Sequence, residues 1–195
     1  KKQRRELHLA IAANPNTSTQ TLREMIPTSE PDVVLVDTIA KNPGRLLARL
    51  TGDPVSFELD AAIASSTDNP DVLRELAMST DETVRVAVGL NEYTPSDIRE
   101  ALTMDPSEEV VSAAVVWSSD LSEATQLRLA THPSFEAQQN LVAHTHLPSV
   151  LKKMVEESSD FRDDSFWWGL KQNPKSTRGI LKAWVERYNH ETGEE

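Results

Sequence analysis

One short pattern recurs along the whole chain: an apolar segment of helical length, a polar turn residue and a second segment of helical length. The turn residue returns at intervals of 28, 24, 25, 27, 26 and 29 residues, at Asn14, Asn42, Ser66, Asn91, Ser118, His144 and Asn173. Intervals this even are typical of repeat proteins, and each leaves room for two helices of only two or three turns. Helices that short are unstable alone, so they must be stabilised by packing on their neighbours.

Proline and glycine favour an all-α fold. Most of the 11 prolines follow Asn, Asp, Thr or His, where a helix can begin with an N-cap oxygen and with proline in its first turn. This form is found in Asn69-Pro70-Asp71, Thr94-Pro95-Ser96-Asp97 and Asp105-Pro106-Ser107-Glu108, and Thr17-Ser18-Thr19-Gln20 has capping-box spacing. Only 6 glycines are present, fewer than a fold built on tight hairpins would need.

The pattern therefore predicts a single helical-repeat domain over residues 1–195, a superhelical solenoid of about seven two-helix repeats of 24–29 residues. We expect the terminal repeats to cap the ends of its core. The polar, acidic segment 158–165 is interpreted as a loop inserted before the last repeat.

The copy around Asn91 resembles the leucine-rich repeat variant family, a bacterial group of HEAT-like helical repeats. The resemblance is carried by Val84-Arg85-x-Ala87-Val88-x-x-Asn91-x-x-Thr94-Pro95-x-x-x-Ile98-x-x-Ala101-Leu102, and by the Asn-Pro turns Asn14-Pro15, Asn42-Pro43 and Asn173-Pro174. It implies a right-handed superhelix of alternating α- and 3₁₀-like helices. One architecture of the family carries an iron–sulfur cluster on a separate cysteine-bearing segment; this chain contains no cysteine, so that property does not transfer.

The charge distribution favours a protein partner over a nucleic acid. The net charge is −11, and residues 50–150 hold seventeen acidic residues against four basic ones. Phosphate binding requires clustered cations, whereas an acidic surface suits a partner with a basic surface. The sequence has no apolar run of membrane-spanning length, and the absence of cysteine fits the cytoplasm. No cofactor is predicted.

Six residues are the candidate contacts of such a partner: Trp117, Tyr93, His144, Asp97, Glu100 and Glu123. Aromatic anchors are favoured in interfaces, and the carboxylates supply the charge. Trp167 and Trp168 are adjacent, so both cannot face one side of a helix, and we expect at least one of them at a surface. The seven turn residues are instead interpreted as a structural ladder that satisfies helix ends.

The sequence carries no recognised catalytic motif, so an enzyme is not the favoured interpretation. His144 and His146 could share a metal ion, but a protein zinc site needs three or four ligands, and no metal site is predicted. Two alternatives stay open. One is an enzyme or nucleic-acid binder like the HEAT-like DNA glycosylases, which the acidity disfavours; the other is a regulatory or spacer segment of a longer polypeptide. The oligomeric state is left open.

Overall fold

The computed structural model describes residues 2–26, 32–158 and 162–193. Within these ranges the chain forms α-helices, one 3₁₀ helix at Ser118–Asp120 and no strand, which confirms the all-α prediction. The α-helices are α1 Lys2–Ala13, α2 Thr19–Glu24, α3 Val33–Ala40, α4 Pro43–Thr51, α5 Val55–Ser66, α6 Pro70–Leu76, α7 Glu82–Leu90, α8 Ser96–Leu102, α9 Glu108–Val115, α10 Glu123–Leu129, α11 Phe135–His144, α12 Pro148–Glu157, α13 Asp164–Gln172 and α14 Arg178–Thr192.

The helices alternate along the chain, so that the odd-numbered one opens each repeat and the even-numbered one closes it. Opening helices pack on opening helices, as α1 on α3, α5 on α7 and α11 on α13, and closing helices pack on closing helices, as α12 on α14. Helices of two or three turns thereby gain the neighbours that they need for stability.

Most helices begin at a polar side chain that accepts a hydrogen bond from the first turn. Asn69 and Asn42 do so directly before a proline, and Ser18 caps α2, in agreement with the sequence patterns. One predicted cap is wrong, because Ser107 rather than Asp105 caps α9. The hydroxyl of Thr94 donates to the carbonyl of Val88.

The contacts divide the chain into two compact units, Lys1–Ile98 and Arg99–Glu195, which we call the first and second units. Apolar faces of the helices meet inside each unit. The core of the first unit includes Leu22, Leu35, Ile39, Leu59, Ile63, Leu73, Leu76 and Val88. The core of the second includes Val111, Leu129, Leu141, Leu151, Met154, Phe166 and Leu170.

The loop predicted at 158–165 is shorter than expected. Ser158 is buried directly after α12, and α13 already begins at Asp164 with Asp163 as its N-cap. Residues 159–161 of the predicted loop lie outside the described residues.

Candidate functional site

Three turn asparagines, Asn42, Asn91 and Asn173, each join their own repeat to the one before it. The amide nitrogen of Asn42 donates to the carbonyls of Ala12 and Asn14, at 2.6 and 3.0 Å. Asn91 bonds in the same way to Ala64 and Thr67, at 2.6 and 2.8 Å. These side chains are buried. They donate to carbonyl groups at the end of the opening helix of the preceding repeat and in the turn that follows that helix.

Asn173 makes the same bridge in the second unit, with nitrogen-to-carbonyl distances of 2.8 Å to Val142 and 2.9 Å to Thr145. The side-chain oxygen of each of the three asparagines accepts the main-chain N–H two residues later, as from Lys175 to Asn173. One amide therefore serves both its own turn and the preceding repeat.

These hydrogen bonds shift two positions of the predicted ladder by one residue. Thr67 and Thr145, not Ser66 and His144, occupy the turns and accept the N–H two residues later through their hydroxyls. Ser66 ends α5 and His144 is the exposed last residue of α11. The sequence pattern does not separate these neighbours, because both members of each pair are polar.

Two positions of the ladder, the first and the fifth, differ from the three bridging asparagines. Asn14 stands in the first repeat, and it is exposed, with its side-chain oxygen accepting the N–H of Asn16. Ser118 opens the 3₁₀ helix and is buried; its carbonyl accepts the side-chain amide of Gln126 at 2.8 Å.

The three candidate carboxylates all contact the closing helix or turn of a neighbouring repeat. Asp97 is ion-paired with Arg74 at 2.7 Å, which holds the pKa of Asp97 below its ordinary value. Glu123 accepts the hydroxyl of Ser149 at 2.6 Å. Both carboxylates stay exposed, so a role for them as partner contacts remains a prediction.

Glu100 is partly buried and is hydrogen-bonded to a neighbouring repeat. Its carboxylate accepts the N–H of Ser122 at 2.5 Å and the hydroxyl of Thr125, so it supports the start of α10. Partial burial raises the pKa of Glu100, but these hydrogen bonds outweigh that effect and the net shift is downward.

The aromatic candidates occupy unlike environments. Trp117 is half-buried, with the guanidinium of Arg99 5.4 Å from its ring centroid, a cation–π distance. Tyr93 is 59% exposed. Tyr93 and Asp97 belong to the first unit, whereas Trp117, Glu100, Glu123 and His144 belong to the second.

A different tryptophan stands on an open groove. The groove lies between α11 and α13, measures about 560 Å³ and is lined by Gln139, Asn140, Ala143, Asp164, Ser165, Trp168 and Gly169. We call it the Trp168 groove. Trp168 is 65% exposed, while its neighbour Trp167 stacks on Trp184 with ring centroids 4.3 Å apart. The adjacent pair thus contributes one surface residue and one partly buried residue packed against the core.

Small residues allow the two helices that form this groove to approach closely. A Cβ atom at Gly169 would lie 2.8 Å from Cγ1 of Val142, a distance that real Cβ contacts do not reach. The polar side chains beside it are held in place: Gln139 donates its amide to the hydroxyl of Ser165, and Asn140 donates its amide to the carbonyl and hydroxyl of Ser112, both at 3.1 Å.

Acidic residues begin the three opening helices of the second unit. Because α11 packs on both α9 and α13, their first turns meet along one side, which we call the acidic edge: Glu108, Glu109, Glu136 and Asp164. All four are exposed, and no Lys or Arg of the described residues forms an ion pair with them. The helix N-termini favour these carboxylates locally, and Glu109 also accepts the hydroxyl of Ser107.

The sequence signals Trp168 only in part. Two adjacent tryptophans cannot both lie in the core, but the sequence does not tell which of them is exposed. The other residues of the groove, such as Gln139 and Asn140, lie about one repeat earlier in the chain. Their proximity follows from the packing of α11 on α13.

Comparison of the chain with family models, with curated proteins and with solved structures finds no match. Within the described ranges no three or more His, Asp or Glu side chains are grouped so as to hold a metal ion. None of the helices described is both long and apolar enough to cross a membrane.

Proposed function

We propose that this chain is a non-catalytic interaction module of helical repeats that binds a protein with a basic surface through its second unit. The observation that carries this proposal is the acidic edge beside the Trp168 groove. An exposed indole supplies the aromatic anchor that interfaces favour, and the unpaired carboxylates supply the charge.

A comparison of the acidic edge with the predicted carboxylates favours a role of the edge in binding rather than in the fold. The predicted carboxylates Glu100 and Asp97 form hydrogen bonds or ion pairs to neighbouring repeats, and they contribute to repeat packing. Glu136 and Asp164, by contrast, make no such bridge among the described residues. Charge that no Lys or Arg of the described residues neutralises is available to a basic partner, and it also speeds diffusional encounter with that partner.

We also propose that the repeats form the right-handed superhelix that the family resemblance implies. The lack of cysteine supports a reducing compartment such as the cytoplasm as the place of the interaction. A solved structure of the complex would test the handedness directly.

The test is affinity capture with the purified chain from a lysate of its source, washed in steps of increasing NaCl and analysed by mass spectrometry. We expect a basic protein to be retained at low salt and released as salt screens the attraction. The triple variant Glu108→Gln, Glu136→Gln, Asp164→Asn should retain about tenfold less of it, since three rim charges contribute roughly 0.5 kcal/mol each.

A matched control separates the acidic edge from the net charge. Glu6→Gln, Glu24→Gln and Glu58→Gln remove three exposed carboxylates from the first unit, and together they change the net charge equally. This control should bind like the wild type. Equal losses in both triple variants, or capture of no basic protein, would contradict the proposal. Duplex DNA should not compete.

A further inference from the structure

We propose that the Trp168 groove binds an extended peptide segment of the partner, with a Lys or Arg side chain of that segment placed over the indole of Trp168. This inference rests on the proposed function and specifies the chemistry of its ligand. It depends on three properties of the groove: its hydrogen-bond acceptors, its exposed indole, and the distribution of acidic and basic residues along it.

The groove offers mainly acceptors. Asn140 donates both N–H groups of its amide to Ser112, and Gln139 donates one of its two to Ser165, while the amide oxygens of both side chains remain as acceptors. Asp164 adds a carboxylate on the same groove wall as Trp168, one helical turn earlier. A ligand that matches this set must be rich in N–H donors, as are a main chain in extended conformation and the cationic ends of Lys and Arg.

The indole of Trp168 suits the cation in particular. With 65% of its surface exposed, it has a ring face open to a ligand, and tryptophan is the strongest of the aromatic side chains for cation–π contact. The aliphatic stem of Lys or Arg can also cover the ring while the charged end reaches a carboxylate.

Charge fixes where the cation should lie along the groove. Glu136, Asp163 and Asp164 stand at the N-terminal ends of α11 and α13, and Lys171 stands near the C-terminal end of α13. A positive side chain is therefore expected on the Asp164 side of Trp168, away from Lys171.

The floor of the groove suits a main chain. Ala143 and Gly169 present little side chain, so a peptide can approach the two helices closely. A helix uses its main-chain N–H groups internally, whereas an extended main chain keeps them free to donate to the acceptors of the groove.

The test uses a fluorescein-labelled decapeptide of alternating Gly and Lys, and the same peptide with every lysine acetylated. Fluorescence anisotropy with the full chain, at about 0.05 M and about 0.15 M NaCl, should show binding of the lysine peptide and at least about tenfold weaker binding of the acetylated one. Trp168→Ala should weaken binding of the lysine peptide about tenfold, and Trp168→Phe should fall between Trp168→Ala and the wild type.

Met104→Ala is the matched control, because Met104 is also a large exposed apolar residue of the second unit, and this variant should bind like the wild type. Since Trp168 is exposed, the circular dichroism spectrum of Trp168→Ala should be unchanged. Amide chemical-shift changes caused by the peptide should centre on Asn140, Asp164 and Gly169.

The outcomes separate this inference from the proposed function. Equal affinity of Trp168→Ala and wild type for the lysine peptide, equal affinity of wild type for both peptides, or no binding of either peptide would overturn the groove as the site. Capture of a basic protein from the lysate would still stand in those cases. Conversely, binding of the peptide that depends on Trp168, without capture of any basic protein, would contradict the proposed function and leave the groove chemistry intact.

Discussion

At the scale of single residues, a turn asparagine joins two repeats through one buried amide. Replacing Asn173 with Ala leaves the carbonyls of Val142 and Thr145 without their donor in a buried place. We expect this change to lower the free energy of unfolding by about 2–3 kcal/mol, measured by urea denaturation.

Asn14→Ala is the control for Asn173→Ala. Asn14 caps the same kind of turn through its side-chain oxygen, but it is exposed in the first repeat. The Asn14→Ala change should lower the free energy of unfolding by no more than about 1 kcal/mol, since only the local hydrogen bond is lost. If the two variants were equally destabilised, the bridge to the preceding repeat would contribute nothing measurable.

A second residue-scale feature is the buried ion pair of the first unit. Arg45 and Asp60 are both fully buried, with 2.6 Å between the guanidinium and the carboxylate, and Arg45 also donates to the carbonyl of Ala40. Removing Arg45 leaves the buried carboxylate of Asp60 with only a longer contact, 3.5 Å, to the partly exposed Arg49. We therefore expect Arg45→Met alone to lower the free energy of unfolding by about 3–5 kcal/mol, measured by denaturant titration.

The double variant Arg45→Met, Asp60→Leu tests this explanation. It removes both charges and should be more stable than Arg45→Met alone. A double variant less stable than the single one would show instead that Asp60 stabilises the fold without Arg45, through its 3.5 Å contact with Arg49.

At the scale of helices, Gly169 sets the distance between α11 and α13. A methyl group there would clash with Val142, so Gly169→Ala should destabilise the chain by about 1–3 kcal/mol despite the better helix propensity of alanine. Gly179→Ala in α14 meets nothing closer than 3.8 Å and should stabilise by up to about 1 kcal/mol. Thermal denaturation of both variants measures these opposite signs.

The double variant Gly169→Ala, Val142→Ala checks the cause, because it removes the atom that the new methyl group would meet. It should be destabilised by less than the sum of the two single changes. Simple additivity of the two effects would show that the contact with Val142 is not the source of the strain.

The contact between α1 and α3 responds to acid. Arg5 donates to Asp32 at 2.5 and 2.8 Å, and this hydrogen bonding lowers the pKa of Asp32 from 3.8 to about 2. A depressed carboxylate pKa means that the ion pair stabilises the fold above about pH 4, and that this contribution is lost as the pH falls toward 2.

We expect Arg5→Gln to return the pKa of Asp32 toward 3.8, observed in an NMR titration of its carboxyl carbon. Arg4→Gln removes a neighbouring arginine that does not contribute to the pKa shift of Asp32, so this variant should leave the pKa of Asp32 low. An Asp32 pKa that stays near 2 in Arg5→Gln would assign the shift to the N-cap position instead.

The helices also show what the sequence could predict. The repeat and the all-α class follow from periodic apolar residues and cap chemistry, which are local properties of the chain. The choice of Thr145 over His144 as turn residue involves tertiary hydrogen bonds with Gln126 and Asn173. Ser107 and Asp105 both accept local main-chain N–H groups, so the sequence offers two candidate caps in one turn. The Trp168 groove has the same origin, because its two walls are a repeat apart in sequence.

At the scale of the whole molecule, the excess of acidic residues should oppose folding. The net charge is −11, and a compact state brings like charges together. Carboxylates that cap helices or bridge repeats recover part of that free energy, but those of the acidic edge have no basic partner among the described residues.

This balance predicts how the stability depends on salt. Raising NaCl from about 0.01 M to about 0.5 M shortens the screening length from about 30 Å to a few Å, so the melting temperature should rise by several degrees. Chloride is chosen because strongly excluded salts such as sulfate stabilise proteins regardless of charge. The variant Glu108→Lys, Glu136→Lys, whose net charge is smaller, should show a smaller rise. A melting temperature that falls with salt in the wild type would mean that attractive surface ion pairs, such as Arg74 with Asp97, outweigh the repulsion.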